Sequence, residues 1–507
     1  MNISELLARN ARKYPQQEAL VSPRERLNYQ ELNVRVNRLA HALQNCNFKQ
    51  GDRAVIVMPN TNAFVIAYFA VMRLGGIVVP VNAKSSRAEL EYMLDDSGAN
   101  VLFVHELLFE ELKEATFPPH LVKIKTGERV TGWQIFGEMI NRSPETEIRC
   151  RLKEDDDASI LYTSGTTGKP KGVLFTNRNI LSAAWMMCVE MAMKPKSRIL
   201  HMMPLSHSAP LHLFLVAGTV VGATHVLSPV FTPEALVETV EKERITHFFG
   251  APVAYLFTEK LPNLQDYDLS TMKYWVYGGA PLSRPEVGLI QNAFRSDRLV
   301  CVYGLTEAGP NGTLLLPEEH AEKAGSIGKR AALGMEIRLV NEKGEDVAAG
   351  EVGEIALYGE SVMKGYFRKP EETNRVFQNG WLLTGDMARK DEEGYYWVVD
   401  RKKDMILSGG VNVYPKEIED VLVIHPKIRE VSVIGVPHPE WGETVKAFLV
   451  LAEPMDNIEE ECKRFLKGKL ASYKIPKLYE RIEELPRNAT GKIQKQVLRG
   501  MANELLP

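Results

Sequence analysis

Residues 54–80 read AVIVMPNTNAFVIAYFAVMRLGGIVVP, and their pattern decides the fold class. Ala54–Met58 and Gly76–Pro80 are short runs rich in valine and isoleucine, the composition of buried strands. The segment between them, around Ala63–Leu74, reads as a helix. Strand, helix, strand in that order is a βαβ unit, and such a crossover joins parallel strands. The same rhythm resumes at Val101–Val104, Thr246–Gly250, Tyr274–Tyr277 and Leu299–Tyr303. Upstream, Ile3–Pro15 and Tyr29–Asn45 carry helical spacing, with Leu32, Val36, Leu39 and Leu43 on one face. The expected class is therefore α/β: a large N-terminal domain of parallel-rich sheets and packed helices. A small α+β C-terminal domain is expected after it.

The bulk numbers agree with that size. At 507 residues the chain exceeds what one core usually supports, so at least two domains are expected. Lysine plus arginine (62) nearly balance aspartate plus glutamate (65), and the net charge of −3 offers no bulk attraction for nucleic acid or anionic membrane. Small-molecule partners fit better. Five scattered cysteines, Cys46, Cys150, Cys188, Cys301 and Cys462, show neither a CxxC pair nor zinc spacing, which fits reduced thiols in a cytoplasmic protein. The N-terminal stretch lacks the apolar core of a signal peptide. Leu211–Pro229 is apolar but carries His212, His225, hydroxyls and glycines, so it is expected in a core and not in a bilayer.

In an α/β sheet, ligands gather in the loops beyond the carboxyl ends of the strands. The most chemically loaded of these loops follows the apolar run Ala158–Tyr162 and reads YTSGTTGKPKG, Tyr162 to Gly172. Gly165, Gly168 and Gly172 open backbone angles closed to other residues. Thr163, Ser164, Thr166 and Thr167 add hydroxyls, and Lys169 and Lys171 add charge, so the stretch reads as a phosphate cradle. It is not a P-loop: counting back from Gly168-Lys169 puts Thr163 where the first glycine belongs, and Pro170 replaces the serine or threonine. A surface turn is the bland alternative, weakened by two lysines inside it.

Two further loops follow strands. Gly278-Gly279-Ala280-Pro281 lets a flat ring approach backbone, and Tyr303-Gly304-Leu305-Thr306-Glu307 offers a stacking face, a hydroxyl and a hard oxygen ligand. A turn and a helix cap are the alternatives for both. Downstream, Asn379–Asp386 (NGWLLTGD) reads as turn-rich, Tyr395–Val399 as a strand, and Asp400–Asp404 (DRKKD) as a charged joint. Beyond the joint, Tyr414–Val423 and Ile458–Lys474 read as helices, Glu430–Val436 and Val445–Leu451 as strands, and Ile493–Leu506 as a closing helix. Arg487–Lys492 (RNATGK) is a polar turn, and by itself its lysine would be a solvated surface residue.

Taken in order, SGTTGKPKG, YGLTE, WLLTGD, DRKKD, SGGVNVYPKEIE and NATGK resemble the adenylate-forming superfamily of acyl-CoA synthetases, amino-acid adenylation domains and luciferases. NGWLLTGD followed by YYWVVDRKKDMILSGGVNVYP is similar to the signature of its fatty acyl-CoA ligase branch. The resemblance implies an N-terminal adenylation domain over 1–401, a hinge at 402–403 with Lys403, and a mobile C-terminal domain over 404–507. It implies attack of a carboxylate on the α-phosphate of ATP with Mg²⁺, giving acyl-AMP and pyrophosphate, then thiolysis by coenzyme A.

The same resemblance assigns roles to residues. Thr163, Ser164, Gly165, Thr166, Thr167, Gly168 and Lys171 would grip the β- and γ-phosphates, and Thr306 the α-phosphate. Glu307, with Thr166, would hold the metal. Gly279, Ala280, Pro281, Tyr303 and Gly304 would frame adenine, while Asp386 and Arg401 would hold the ribose. Lys492 would neutralise charge during adenylation, and Gly409 and Gly410 would line the coenzyme A tunnel. His207, in PLSHSAP, matches the gate of the acyl site, where Ser208, Ala209, Val276, Gly278, Ala308, Gly309 and Pro310 would line or adjoin the pocket. Ser206 departs from the family's commoner PLFH, and no aspartate is present there for a substrate amine, which disfavours amino acids. The expected substrate is a medium- or long-chain fatty acid. An aryl acid, delivery of acyl-AMP to a carrier protein, a luciferase-like oxidoreductase and an idle nucleotide binder are the rivals. Relatives often form homodimers, so one is possible here.

Overall fold

The computed structural model describes residues 3–163, 169–408, 411–487 and 493–504. Residues 54–80 fold as their pattern demands. Arg53–Val57 and Ile77–Val81 pair in parallel around the helix Asn62–Arg73, whose Thr61 hydroxyl caps the Phe64 amide. Both strands and the inner face of the helix are buried, so the crossover packs a continuous apolar layer.

The chain forms two compact units: 1–338 with 356–383, and 339–355 with 384–507. The charged joint Asp400–Asp404, with its expected hinge at 402–403, lies inside the second unit. The first unit holds two large sheets. One runs in the order Arg330–Ala331, Thr313–Leu315, Leu299–Tyr303, Tyr274–Gly278, His247–Gly250, Arg198–His201, Thr224–Leu227, Glu18–Val21, Arg26–Asn28. Its central strands are parallel and its ends antiparallel. The other runs Gly365–Tyr366, Lys171–Thr176, Asp157–Thr163, Ile77–Val81, Arg53–Val57, Val101–Val104, Val122–Lys125, Gln134–Ile135. The α/β class is therefore as read from the sequence.

Leu211–Pro229 is core, as expected, up to Leu227, beyond which Pro229 is exposed. It opens with a π-helical stretch, Ala209–Val216, continues in the short helix Ala217–Val221 and ends in the buried strand Thr224–Leu227. No helix among the described residues is long and apolar enough to cross a membrane.

The second unit is α+β. Ile428–His438 and Gly442–Leu451 form a long antiparallel hairpin, extended by Ile406–Ser408 and Val411–Val413 on one side and by Leu478–Arg481. Pro415–Leu422, Ile458–Leu466 and Lys495–Glu504 are its helices. Two local readings are corrected. WLLTGD is not a turn but the first half of the strand Trp381–Lys390; the turn is confined to Asn379 and Gly380, both at positive φ. The helix expected over Ile458–Lys474 stops at Leu466, because Gly468 takes φ +80° and breaks it.

Candidate active site

Three parallel strands of the first sheet, Arg198–His201, Tyr274–Gly278 and Leu299–Tyr303, end on the same edge and release the loops that carry the expected residues. Leu299–Tyr303 hands over to a tight 3₁₀ turn, Thr306–Ala308, closed by Gly309 at φ +80°. A Cβ on Gly304 would lie 2.1 Å from the Pro310 carbonyl oxygen, so the turn closes on itself only with glycine there. Thr306 and Glu307 are thereby held half-buried at the strand's end.

Arg198–His201 leads into the PLSHS turn, where the His207 amide donates to the Pro204 carbonyl at 3.0 Å. His207 Nε2 meets the Asn82 side-chain amide at 3.2 Å. Burial pushes the His207 imidazole below its ordinary range, so the ring is neutral at neutral pH. Its neighbour Ser208 places Oγ 3.3 Å from Thr306 Oγ1. The residues expected at the acyl site and at the α-phosphate thus touch.

The strands on either side of the expected phosphate loop form an antiparallel pair. Thr163 pairs with Lys171 across antiparallel strands, which brings the two ends of the loop together. Tyr162 donates to Asp96 at 2.7 Å, Lys369 pairs with the same carboxylate at 3.0 Å, and Tyr92 donates to the Pro170 carbonyl at 3.0 Å. Ser164, Gly165, Thr166, Thr167 and Gly168 lie outside the described residues. On the exit strand Lys171 Nζ sits 4.1 Å from the centre of the Tyr366 ring, a cation–π contact, and the Tyr366 hydroxyl donates to Glu307 Oε1 at 2.8 Å. Burial and the Glu307 carboxylate raise the Tyr366 phenol well above its usual range, so it stays a donor.

The Gly-Gly-Ala-Pro loop divides in character. Gly278 is buried at the strand's end, where a Cβ would meet the Val302 carbonyl oxygen at 2.7 Å. Gly279 at φ +87° and Ala280 are exposed, and Pro281 is half-buried. Val276 is fully buried within the sheet, and Ala308, Gly309 and Pro310 are buried beside the Thr306–Ala308 turn. A Cβ on Gly309 would strike the Ser361 carbonyl oxygen at 2.2 Å. Glycine at 278 and 309 is therefore dictated by backbone packing, and its small size says nothing about the breadth of an acyl pocket.

In the second unit, Asp386 faces Arg401 across the hairpin, and their side chains form an ion pair at 2.5 Å. Asp386 is buried and Arg401 half-buried. Lys403 sits in the turn Lys402–Asp404, between Lys402, paired with Glu354 at 2.9 Å, and Asp404, paired with Arg499 at 3.0 Å. Burial lowers the Lys403 ammonium from its ordinary range. Gly409, Gly410 and Lys492 lie outside the described residues.

Mg²⁺ keeps most of its waters and takes one or two protein oxygens beside substrate phosphates. The donor set here fits that habit: Glu307 presents a carboxylate of which one oxygen is engaged by Tyr366, and no group of three or more His, Cys, Asp or Glu among the described residues forms a cage. Asn82, Asp96 and Tyr366 are the contributors that sequence reading missed. They lie in ordinary-looking stretches, and only the fold brings them to the motifs.

The family model for AMP-binding enzymes matches residues 7–367, and that for the AMP-binding enzyme C-terminal domain matches 417–492. The chain belongs to the AMP-binding, adenylate-forming enzymes. Within them it is an AMP-forming acid–thiol ligase, and ATP and coenzyme A are substrates of the family. It is 37% identical to a feruloyl-CoA synthase of an Amycolatopsis species over 492 residues, 97% of each chain. It is 33% identical over 514 residues to the long-chain-fatty-acid–CoA ligase FadD13 of Mycobacterium tuberculosis, covering 100% of this chain and 99% of that one. Among solved structures, o-succinylbenzoate CoA synthetase of Bacillus subtilis with its acyl-adenylate intermediate superposes with a TM-score of 0.85 at 30% identity, covering 98% and 97% of the two chains.

Proposed function

We propose that the protein is an ATP-dependent acyl-CoA ligase that joins an apolar carboxylic acid to coenzyme A through an acyl-AMP intermediate. The observation that carries this reading is the 3.3 Å contact between Ser208 and Thr306. It supports the reading because it joins the turn expected at the acyl group to the turn expected at the α-phosphate, the proximity that attack of a carboxylate on that phosphate needs. A carboxylate oxygen forms the new bond to phosphorus while the bond to pyrophosphate breaks. The thiolate of coenzyme A then attacks the acyl carbon, and AMP leaves.

In this reading Thr306 donates to the α-phosphate, and Lys171 with the glycine-rich loop holds the β- and γ-phosphates. Glu307 and Thr166 hold Mg²⁺, which when bound offsets phosphate charge. Tyr303, Gly304 and the Gly279–Pro281 loop frame adenine. Asp386, with its carboxylate steered by Arg401, takes the ribose hydroxyls. Neutral His207, held by Asn82, closes the acyl site as a hydrogen-bonding gate rather than as a charge. Lys492 supplies the positive charge for adenylation. Lys403, inside the second unit, is the proposed hinge about which the chain beyond it would reorient, after which Gly409 and Gly410 would line the coenzyme A path.

A medium- or long-chain fatty acid is the first reading for the substrate, supported by the relation to FadD13. An aryl acid is the second, favoured by the relation to the feruloyl-CoA synthase. Pyrophosphate release across fatty, aromatic and dicarboxylic acids, with and without coenzyme A, tests both. Release with fatty acids alone supports the first reading and release with aryl acids alone the second; release independent of any acid refutes the ligase.

A further inference from the structure

One short segment, Ser361–Tyr366, braces both ends of the nucleotide site. The Ser361 hydroxyl donates to the Ala308 carbonyl and the Met363 amide to the Glu307 carbonyl, each at 2.8 Å. On its other side, Gly365 and Tyr366 pair with Leu174 and Val173, and the Phe367 amide donates to the Gly172 carbonyl at 2.8 Å. Those partners lie on the strand that leaves the phosphate loop. Tyr366 itself is 7% exposed, and its one side chain touches Lys171 with its ring and Glu307 with its hydroxyl. Packing alone needs only the ring. The hydroxyl needs a partner once buried, and it has taken one carboxylate oxygen of the residue assigned to the cation.

We propose that Tyr366 is a positioning residue for cation-assisted ATP binding: its hydroxyl fixes the Glu307 carboxylate through Oε1 and leaves Oε2 for the divalent cation, while its ring seats Lys171. This inference rests on the reading of Glu307 given above. A carboxylate held by an outer hydrogen bond presents one oxygen in one direction, and losing such a partner typically costs about 10- to 100-fold in metal affinity.

The test is calorimetric titration of the full-length chain with a non-hydrolysable ATP analogue, once with excess Mg²⁺ and once with EDTA. The ratio of the two affinities isolates the cation's contribution. For Tyr366→Phe the ratio is expected to fall about tenfold, with the affinity in EDTA and the melting temperature unchanged. Tyr366→Leu is expected to lose the ratio equally and also to weaken binding in EDTA, since Lys171 loses its ring. A folded Tyr366→Phe with the wild-type ratio overturns the proposal; should that variant not fold, a wild-type ratio in Tyr366→Leu does the same. Glu307→Gln separates the two layers. If it collapses the ratio while Tyr366→Phe does not, only the role of Tyr366 falls; if it too keeps the wild-type ratio, the reading of Glu307 falls as well.

Discussion

Replacing Gly304 by alanine probes the turn that carries Thr306 and Glu307 without touching either side chain. The added methyl would sit 2.1 Å from the Pro310 carbonyl oxygen, 2.5 Å from its carbon and 3.1 Å from the Asn311 nitrogen. All three are backbone atoms, so no side-chain rotation relieves the clash. Non-bonded heavy atoms settle near about 3.5 Å, so the two ends of the 304–310 loop must part by about 1 Å or more. Overpacking of this kind costs about 1–3 kcal/mol, which a large unit tolerates. The catalytic cost is larger in relative terms, because a displacement of about 1 Å at a reacting group lowers rates about 10²-fold. Gly350→Ala is the control: Gly350 has φ +86°, an angle strained for alanine, but nothing lies within 4 Å of the new methyl. It is expected to lose about 1–2 kcal/mol of stability and no activity. Acid-dependent pyrophosphate exchange and thermal melts of both variants decide the matter. Gly304→Ala that folds and exchanges at the wild-type rate would refute the claim that this turn positions the chemistry.

Acid should destabilise the first unit steeply. His212 and His225 are fully buried, and burial pushes both down to about 3 from an ordinary 6.5. The unfolded chain takes up these protons below pH 6.5 and the folded chain does not, so their stabilising contribution is complete above pH 6.5 and is lost as pH falls toward 3. At about 1.4 kcal/mol per unit per group, the pair costs about 5 kcal/mol between pH 6.5 and 4.5. Buried His201 and His247 are lowered as well and add to the same slope. Urea melts at the two pH values measure the sum, and His212→Leu should remove only its own share, about 2–3 kcal/mol. Asp386→Asn breaks the pairing with Arg401 and should raise the KM for ATP about tenfold while sparing that for coenzyme A, as a charge-assisted hydrogen bond to a ribose would; equal rises in both would count against the ribose assignment. Lys492→Ala should abolish acyl-AMP formation, by about 10²-fold or more, yet leave thioester formation from supplied acyl-AMP largely intact. Equal loss in both half-reactions would refute its role.

The parallel core was legible because residues 54–80 repeat a short valine-rich run on either side of a helical one, a pattern with few folded solutions. The loops expected to bind nucleotide stood out for a related reason: glycine, hydroxyl and lysine recur in them at strand ends, where ligands of α/β sheets gather. Other features depend on tertiary partners. WLLTGD reads as a turn because Asn379, Gly380 and Gly385 are turn residues, yet from Trp381 onward the chain is drawn into a ten-residue strand whose ladder outweighs local preference. Gly278 and Gly309 were placed at the acyl pocket by resemblance, and only the carbonyls of Val302 and Ser361 reveal that backbone packing requires glycine there. Tyr366 lies 59 residues from Glu307, and no periodicity links them.

The central claim is that one protein makes and then consumes an acyl adenylate. The most direct measurement incubates the full-length protein with ATP labelled at the α-phosphate and an apolar carboxylic acid, first without coenzyme A and then with it. Labelled acyl-AMP should accumulate on the protein in the first stage and convert to free AMP and acyl-CoA in stoichiometric amounts in the second. Labelled AMP appearing without any acyl-AMP, or acyl-AMP that coenzyme A leaves untouched, would contradict the account.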